Sequence, residues 1–153
     1  MSELGCKACY EAVLADEADI ALIGCMERDE FPGCSFDVLQ RDRLYLLVSA
    51  DSKLAEKDSL DVTDLAGHRL VLLPDYEFQF STFVESCRAR GIGSDAIDVI
   101  SNAGFMMRKV RSEDAIGIAS ASFKENTPWG TKVLPLTDPK MRMNLYALYR
   151  QEP

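Results

Sequence analysis

The sequence predicts an α/β fold in which a mostly parallel sheet carries helices on both faces. Three observations lead there. Short apolar runs recur, as Leu44-Tyr45-Leu46-Leu47-Val48, Leu70-Val71-Leu72-Leu73, Ile97-Asp98-Val99-Ile100 and Ala115-Ile116-Gly117-Ile118-Ala119, and uninterrupted apolar runs suit strands buried on both sides. Amphipathic helical patterns separate the later runs, the alternation expected of βαβ units. Glycine and proline punctuate the joins at Gly67, Pro74 and Gly91.

Taken in order, residues 6–15 read as a helix, with Cys6, Cys9 and Val13 at i, i+3 and i+7 on one stripe. A buried strand follows at Asp19-Ile20-Ala21-Leu22-Ile23 and closes at Gly24. Residues 26–35 are charged, contain Pro32-Gly33, and read as a loop. The runs 36–39 and 44–48 flank Gln40-Arg41-Asp42-Arg43, which suggests two short strands with a charged turn or bulge between them. Residues 63–67 resemble a single helical turn stopped by Gly67. A helix starting near Ser81 has Phe80, Phe83, Val84 and Cys87 as its core face and Gly91 as its stop. A second, over about 103–110, turns Met106, Met107 and Val110 inward and is capped by Ser101 or Asn102. Residues 132–136 and 143–149 supply two further strands.

At 153 residues the chain fits one ordinary domain, or one lobe with part of another. A 47% hydrophobic composition excludes wholesale disorder. The 25 acidic and 17 basic side chains give a net charge of −8, with no dense basic segment. Attraction to phosphate dominates nonspecific nucleic-acid binding, so no direct nucleic-acid binding is expected of this polypeptide. The N-terminus lacks the basic start and apolar core of a secretory leader. No apolar run approaches the roughly 20 residues needed to span a bilayer, so no membrane contact is expected. Five cysteines, an odd number, do not suggest a secreted disulfide framework. A cytoplasmic location follows as the expectation.

The order of these residues resembles the effector-binding region of LysR-type transcriptional regulators. The segment Val13-Leu14-Ala15-Asp16-Glu17-Ala18-Asp19-Ile20-Ala21-Leu22 is similar to the family's helix-to-strand entry. Asp42-Arg43-Leu44-Tyr45-Leu46-Leu47-Val48-Ser49-Ala50-Asp51-Ser52-Lys53-Leu54-Ala55 continues it, and the approach to Asp64-Leu65 and residues 110–119 follow in register. The resemblance covers nearly the whole chain. It implies periplasmic-binding-protein-like (type 2) lobes, the first incomplete. Residues 1–49 would form a partial first lobe of helix, strand and hinge strand, residues 50–144 a second, regulatory lobe, and residues 145–153 a returning hinge strand. It also implies a homo-oligomeric sensor whose effector sits between the lobes and shifts the DNA affinity of a helix-turn-helix that this chain lacks. The family's first strand, first helix, second strand and closing helix are absent as well. One of the two glycines usual before the last second-lobe strand is Ala115 here, preceded by Ser112-Glu113-Asp114. These departures remove half of the expected cleft.

Candidate chemistry gathers at strand ends. Ser81 and Thr82 begin one helix, and Ser101 and Asn102 begin another. Exposed amides and the helix dipole favour anions there, so a small organic anion is the expected effector; plain N-capping is the competing reading for each residue alone. Gly24 and Leu73-Pro74-Asp75 would face the same crevice, with Tyr76 and Phe78 as an aromatic wall and Phe80 in the helix core. Cys6-Lys7-Ala8-Cys9 has a metal or redox spacing, but Cys25 and Cys34 do not supply a second tight pair. Core packing of these thiols is favoured, and no metal or cofactor is expected. His68 is the sole histidine, and no Gly-x-Ser-x-Gly elbow occurs, so no catalytic residue is assigned. The alternatives to a sensor are a solute-binding protein or enzyme on the same fold, or a dimerisation fragment that binds no ligand.

Overall fold

The computed structural model describes residues 6–119, 121–138 and 141–151. The N-terminal segment on which the absence of a leader was argued therefore lies largely outside the described residues. The apolar runs become β1 (Ile20–Met26), β2 (Cys34–Arg43), β3 (Tyr45–Ser49), β4 (Leu70–Leu72), β5 (Ile97–Val99), β6 (Ile116–Ala119), β7 (Thr131–Pro135) and β8 (Arg142–Arg150). They gather into two sheets. The first runs β1-β8-β2 and is wholly antiparallel. The second runs β5-β4-β6-β3-β7, with β4 parallel to β5 and β6, and β3 antiparallel to β6 and β7.

Burial on both faces explains the uninterrupted apolar strands of the second sheet. Every residue of β3 and β4 is buried. Helix α3 (Ser81–Ala89) puts Phe83, Val84 and Cys87 into one core with Leu46, Leu70 and Ile116. Helix α4 (Ala103–Glu113) puts Met106 and Val110 into another with Tyr45, Leu47 and Val71. The period-2 alternation of β3 thus feeds two cores at once. Gly91, at φ 80°, turns the chain out of α3. Helix α4 continues a turn beyond the predicted end, because Asp114 adopts the left-handed conformation and serves as the C-cap.

The first sheet is covered on one face only. Helix α1 (Cys6–Leu14) presents Val13, with Cys6, Cys9 and Tyr10 alongside, to Ile23, Cys25, Tyr146 and Leu148. The opposite face leaves Ile20 and Leu22 exposed. The two strands predicted over residues 36–48 are both present, but the first, β2, is longer, ten residues bulged between Val38 and Gln40, and β3 follows at once in the other sheet. The charged residues 40–43 sit on a paired strand because β8 supplies their ladder. Leu44 makes the crossing, its amide donating to Met141 at 3.3 Å and its carbonyl accepting from Leu136 at 2.9 Å. Among the described residues no helix is long and apolar enough to cross a membrane.

The edge strand β5 is clasped by charge. The Arg69 guanidinium donates to the Asp98 carboxylate at 2.9 and 2.6 Å, and the Lys109 ammonium lies 3.6 Å away. The hydrogen bond from Arg69, opposed by burial, holds the Asp98 carboxyl below its usual range. A depressed folded-state value adds stability that is complete above the unfolded carboxyl value near ~3.9 and is lost as pH falls through the folded value. Asp98→Asn should therefore lower the melting temperature slightly at neutral pH and flatten its decline below about pH 4, measurable by thermal unfolding across acidic buffers.

Candidate functional site

The carboxyl ends of β4 and β5 lie side by side, since the Ile100 amide donates to the Leu72 carbonyl at 3.0 Å and Leu72 pairs with Val99. Leu73-Pro74-Asp75 leaves one strand end, and Ser101-Asn102 leaves the other. The connection from β4 passes over one face through α3, and the connection from β5 passes over the other through α4 to β6. Strand ends whose connections diverge in this way leave a crevice where ligands commonly bind.

Asn102 is the cap of α4: its side-chain oxygen accepts from the Phe105 amide at 3.0 Å. The first-turn amides of Ala103 and Gly104 have no intrahelical acceptor and face outward with the helix dipole. Ser101 precedes the cap and is exposed. Asp75 also adopts the left-handed conformation, at φ 64°, and makes no side-chain capping bond. It opens a helix that periodicity did not reveal, α2 (Tyr76–Gln79). Asp75, Tyr76, Glu77 and Phe78 line a cavity of about 340 Å³ together with Lys7.

Ser81 and Thr82 have a different setting from Asn102. Helix α3 does begin at Ser81, but Phe80, not a polar residue, is its cap, and no side chain caps it. The end of α2 abuts it, with Phe80 donating to the Tyr76 carbonyl at 2.8 Å. The Phe83 amide of its first turn is taken by the Met26 thioether at 3.3 Å. The expected aromatic wall also divides. Tyr76 packs with the core around Phe83, and Phe78 packs with the core around Tyr146.

That division makes α2 a clasp between the sheets. The Gln79 amide donates to the Gly24 carbonyl at 2.9 Å, and the Cys6 thiol reaches the same oxygen at 3.3 Å. The Arg28 guanidinium lies 4.9 Å from the Phe31 ring centre and 4.8 Å from that of Phe78, joining the first sheet's loop to α2. Tyr10 stacks on Phe78 at 5.7 Å. Gly24 therefore sits at the junction with its carbonyl engaged, while a side chain added there would meet no atom within 4 Å. Sequence reasoning overlooked Gln79 and Arg28, whose partners are remote in the chain. It also overlooked the exposed apolar residues Val99 and Phe105, which lie at the strand ends with Leu73.

The thiols are structural in setting. Burial pushes Cys25 up to about 12 and Cys87 to about 11, opposed in each case by a nearby arginine. Among the described residues no group of three or more His, Cys, Asp or Glu is placed to hold a metal ion. His68 lies with Nδ1 3.4 Å from the Asp114 carbonyl and 3.9 Å from its carboxylate.

Comparisons with known proteins agree with this arrangement. The family model described as the LysR substrate binding domain matches residues 1–153. The transcriptional dual regulator GltC of Bacillus subtilis is 23% identical over 141 residues, covering 89% of this chain and 45% of its own. The chain thus spans less than half the length of that relative. The effector binding domain of BenM with its effector benzoate superposes with a TM-score of 0.76 at 20% identity, over 99% of this chain and 69% of its own. Full-length CbnR complexed with its target DNA gives 0.73 at 16% identity, over 99% and 53%.

Two outcomes test the site's framework. Arg28→Ala should cost about 1–2 kcal/mol, the sum of two cation–π contacts of partial exposure, as read from chemical denaturation. Native-state alkylation at neutral pH should leave Cys25 and Cys87 unmodified until denaturant is added, because the reactive thiolate is scarce and buried.

Proposed function

The chain belongs to the LysR substrate binding domain family, and from that premise we propose that it is the effector-sensing module of a LysR-type transcriptional regulator. One observation carries the reading furthest: the ends of β4 and β5 open onto one crevice, each followed by a helix N-terminus, with Gly24 of the first sheet at the junction. The proposed effector is a small organic anion. Its carboxylate would meet the α4 first turn at Ser101 and Asn102, and its apolar body would meet Leu73, Val99 and Phe105. Asp75 and Pro74 would border the other side, where a hydrogen-bond donor on the ligand is favoured over a second negative charge. Ser81 and Thr82 complete the proposed set from α3, although the Met26 contact makes theirs the weaker anion site.

The lobes in this proposal are residues 1–49 with the return strand 145–153, and residues 50–144. Effector binding would shift the population between lobe arrangements, with the α2 clasp as the element that must adjust, and DNA would be read by a helix-turn-helix outside this sequence. A cytoplasmic place follows from that role. A sensor is preferred to an enzyme, since the His68 imidazole is turned toward the carbonyl and carboxylate of Asp114.

Thermal unfolding against a panel of aliphatic carboxylates, aromatic acids and amino acids tests the proposal. One compound class should raise the transition, by about 2.7 kcal/mol at 100 times its dissociation constant. Asn102→Ala should weaken binding of that compound several-fold while costing the fold only about 1 kcal/mol. Unchanged affinity in this variant would place the site elsewhere.

A further inference from the structure

The second sheet has two ends, and the crevice occupies one of them. At the other end β3 finishes at Ser49, and the chain turns back through Ala50 to Lys53. The Ala50 amide donates to the Gly130 carbonyl at 2.9 Å and Ser49 pairs with Thr131, which sets this turn beside residues 129–130. The Ile116 amide donates to the Arg69 carbonyl at 2.8 Å, so the start of β4 meets the exit of α4, and His68 lies against Asp114. These segments border a cavity of about 590 Å³, within the roughly 300–1,000 Å³ usual for small-molecule sites. Eleven residues of helix span about 16 Å, so α4 holds this cavity well apart from Asn102 at its other end.

Two of the residues that line it carry buried hydroxyls, Ser49 at 6% and Ser52 at 8% exposure. Ser49 Oγ accepts the Asp51 amide and Ser52 Oγ accepts the Leu54 amide, each at 3.2 Å. Among the described residues neither hydroxyl donates, so each keeps a hydrogen for the cavity. Arg111 is held in place without a carboxylate. Its guanidinium donates to the Met107 and Trp129 carbonyls, each at 3.4 Å, and lies 5.9 Å from the Trp129 ring centre. Gly130 leaves room for it, since a side chain added there would come within 3.2 Å of Arg111 Cδ. Lys53 likewise has no ion-pair partner among the described residues.

The charges around the cavity balance. Lys53 and Arg111 stand against Asp51 and Asp114, while Glu113 is claimed by Lys109 at 3.2 Å. Two cations and two carboxylates match a molecule that carries one charge of each sign, and would set a like charge against either a phosphate or a simple amine. We propose that this cavity binds a small zwitterion of the α-amino acid class. Its carboxylate meets Lys53, Arg111 and the two serine hydroxyls. Its ammonium group meets the Asp114 carboxylate at the C-terminus of α4, where the helix dipole also favours a cation. Asp114 reaches this place through its left-handed backbone, at φ 55°, which leaves its carbonyl 3.4 Å and its carboxylate 3.9 Å from His68 Nδ1. The site is separate from the crevice and does not depend on what binds there.

Calorimetric titration of the full chain with a panel of L-amino acids tests this. At least one should bind, and its deaminated acid and its decarboxylated amine should each bind about tenfold more weakly, the worth of one charge-assisted hydrogen bond. The same ligand should shift the emission of Trp129, the sole tryptophan, which is 84% exposed beside Arg111. Lys53→Met should lose about tenfold in affinity with little change in melting temperature. Asp114→Asn should do the same, since asparagine also tolerates the left-handed backbone. Asn102→Ala should leave the Trp129 response unchanged, which separates this site from the crevice. A chain that binds no amino acid would overturn the proposal, as would equal affinity for the amino acid and its deaminated acid. Binding that leaves Trp129 emission unmoved, or that survives both Lys53→Met and Asp114→Asn, would place the ligand elsewhere and overturn it as well.

Discussion

The first sheet exists because the far end of the chain returns to it. β8 lies between β1 and β2, which do not pair with each other, so the ladder that joins them waits for residues 142–150. The constraint reaches beyond the ladder. Tyr146 on β8 is wholly buried, its hydroxyl accepts the Arg28 amide at 3.0 Å, and its ring meets Phe31 and Phe36 edge-on. Arg28 in turn stands between Phe31 and Phe78. The position of α2, and with it one wall of the crevice, thus rests on the last strand. The loop 27–33 has no regular structure of its own, and it is this tyrosine that gives it something to pack against.

The second sheet divides its tasks by position along the strands. Mid-strand residues of β3 and β4 are committed to two cores, one beneath α3 and one beneath α4, and offer nothing to a ligand. The strand ends are different. Leu73, Val99 and Phe105 remain exposed where burial would be favourable, and Asp75 holds a left-handed backbone. A carboxylate at a helix N-terminus and an apolar body against such side chains ask for different parts of one small molecule. In the proposed sensor, the groups that give stability are thereby separate from those free to change with ligand.

Much of this was legible in the sequence, for identifiable reasons. Phe80, Phe83, Val84 and Cys87 repeat at helical spacing because one core receives them all, and β3 reads as a strand because both its faces are covered. Asn102 was recognisable as a cap because capping is a local hydrogen bond. What could not be read is what depends on remote partners. α2 escaped because Tyr76 and Phe78, two residues apart, enter different cores, so four residues show no single apolar face. The charged half of β2 escaped because it is held by a strand about a hundred positions away. Gln79 and Arg28 look like ordinary surface residues until Gly24 and Phe78 are brought to them.

The separation of β1 from β8 has a consequence for biosynthesis. A ribosome adding roughly 5–20 residues per second needs several seconds to make the chain between them. The second sheet, whose β4, β5 and β6 are close in sequence, can assemble during that interval, while β1 waits without β8. A nascent chain in that state offers chaperones an extended apolar segment to hold. Overexpression that outruns such protection would favour inclusion bodies nucleated at residues 20–26, even for a sequence whose finished fold is sound.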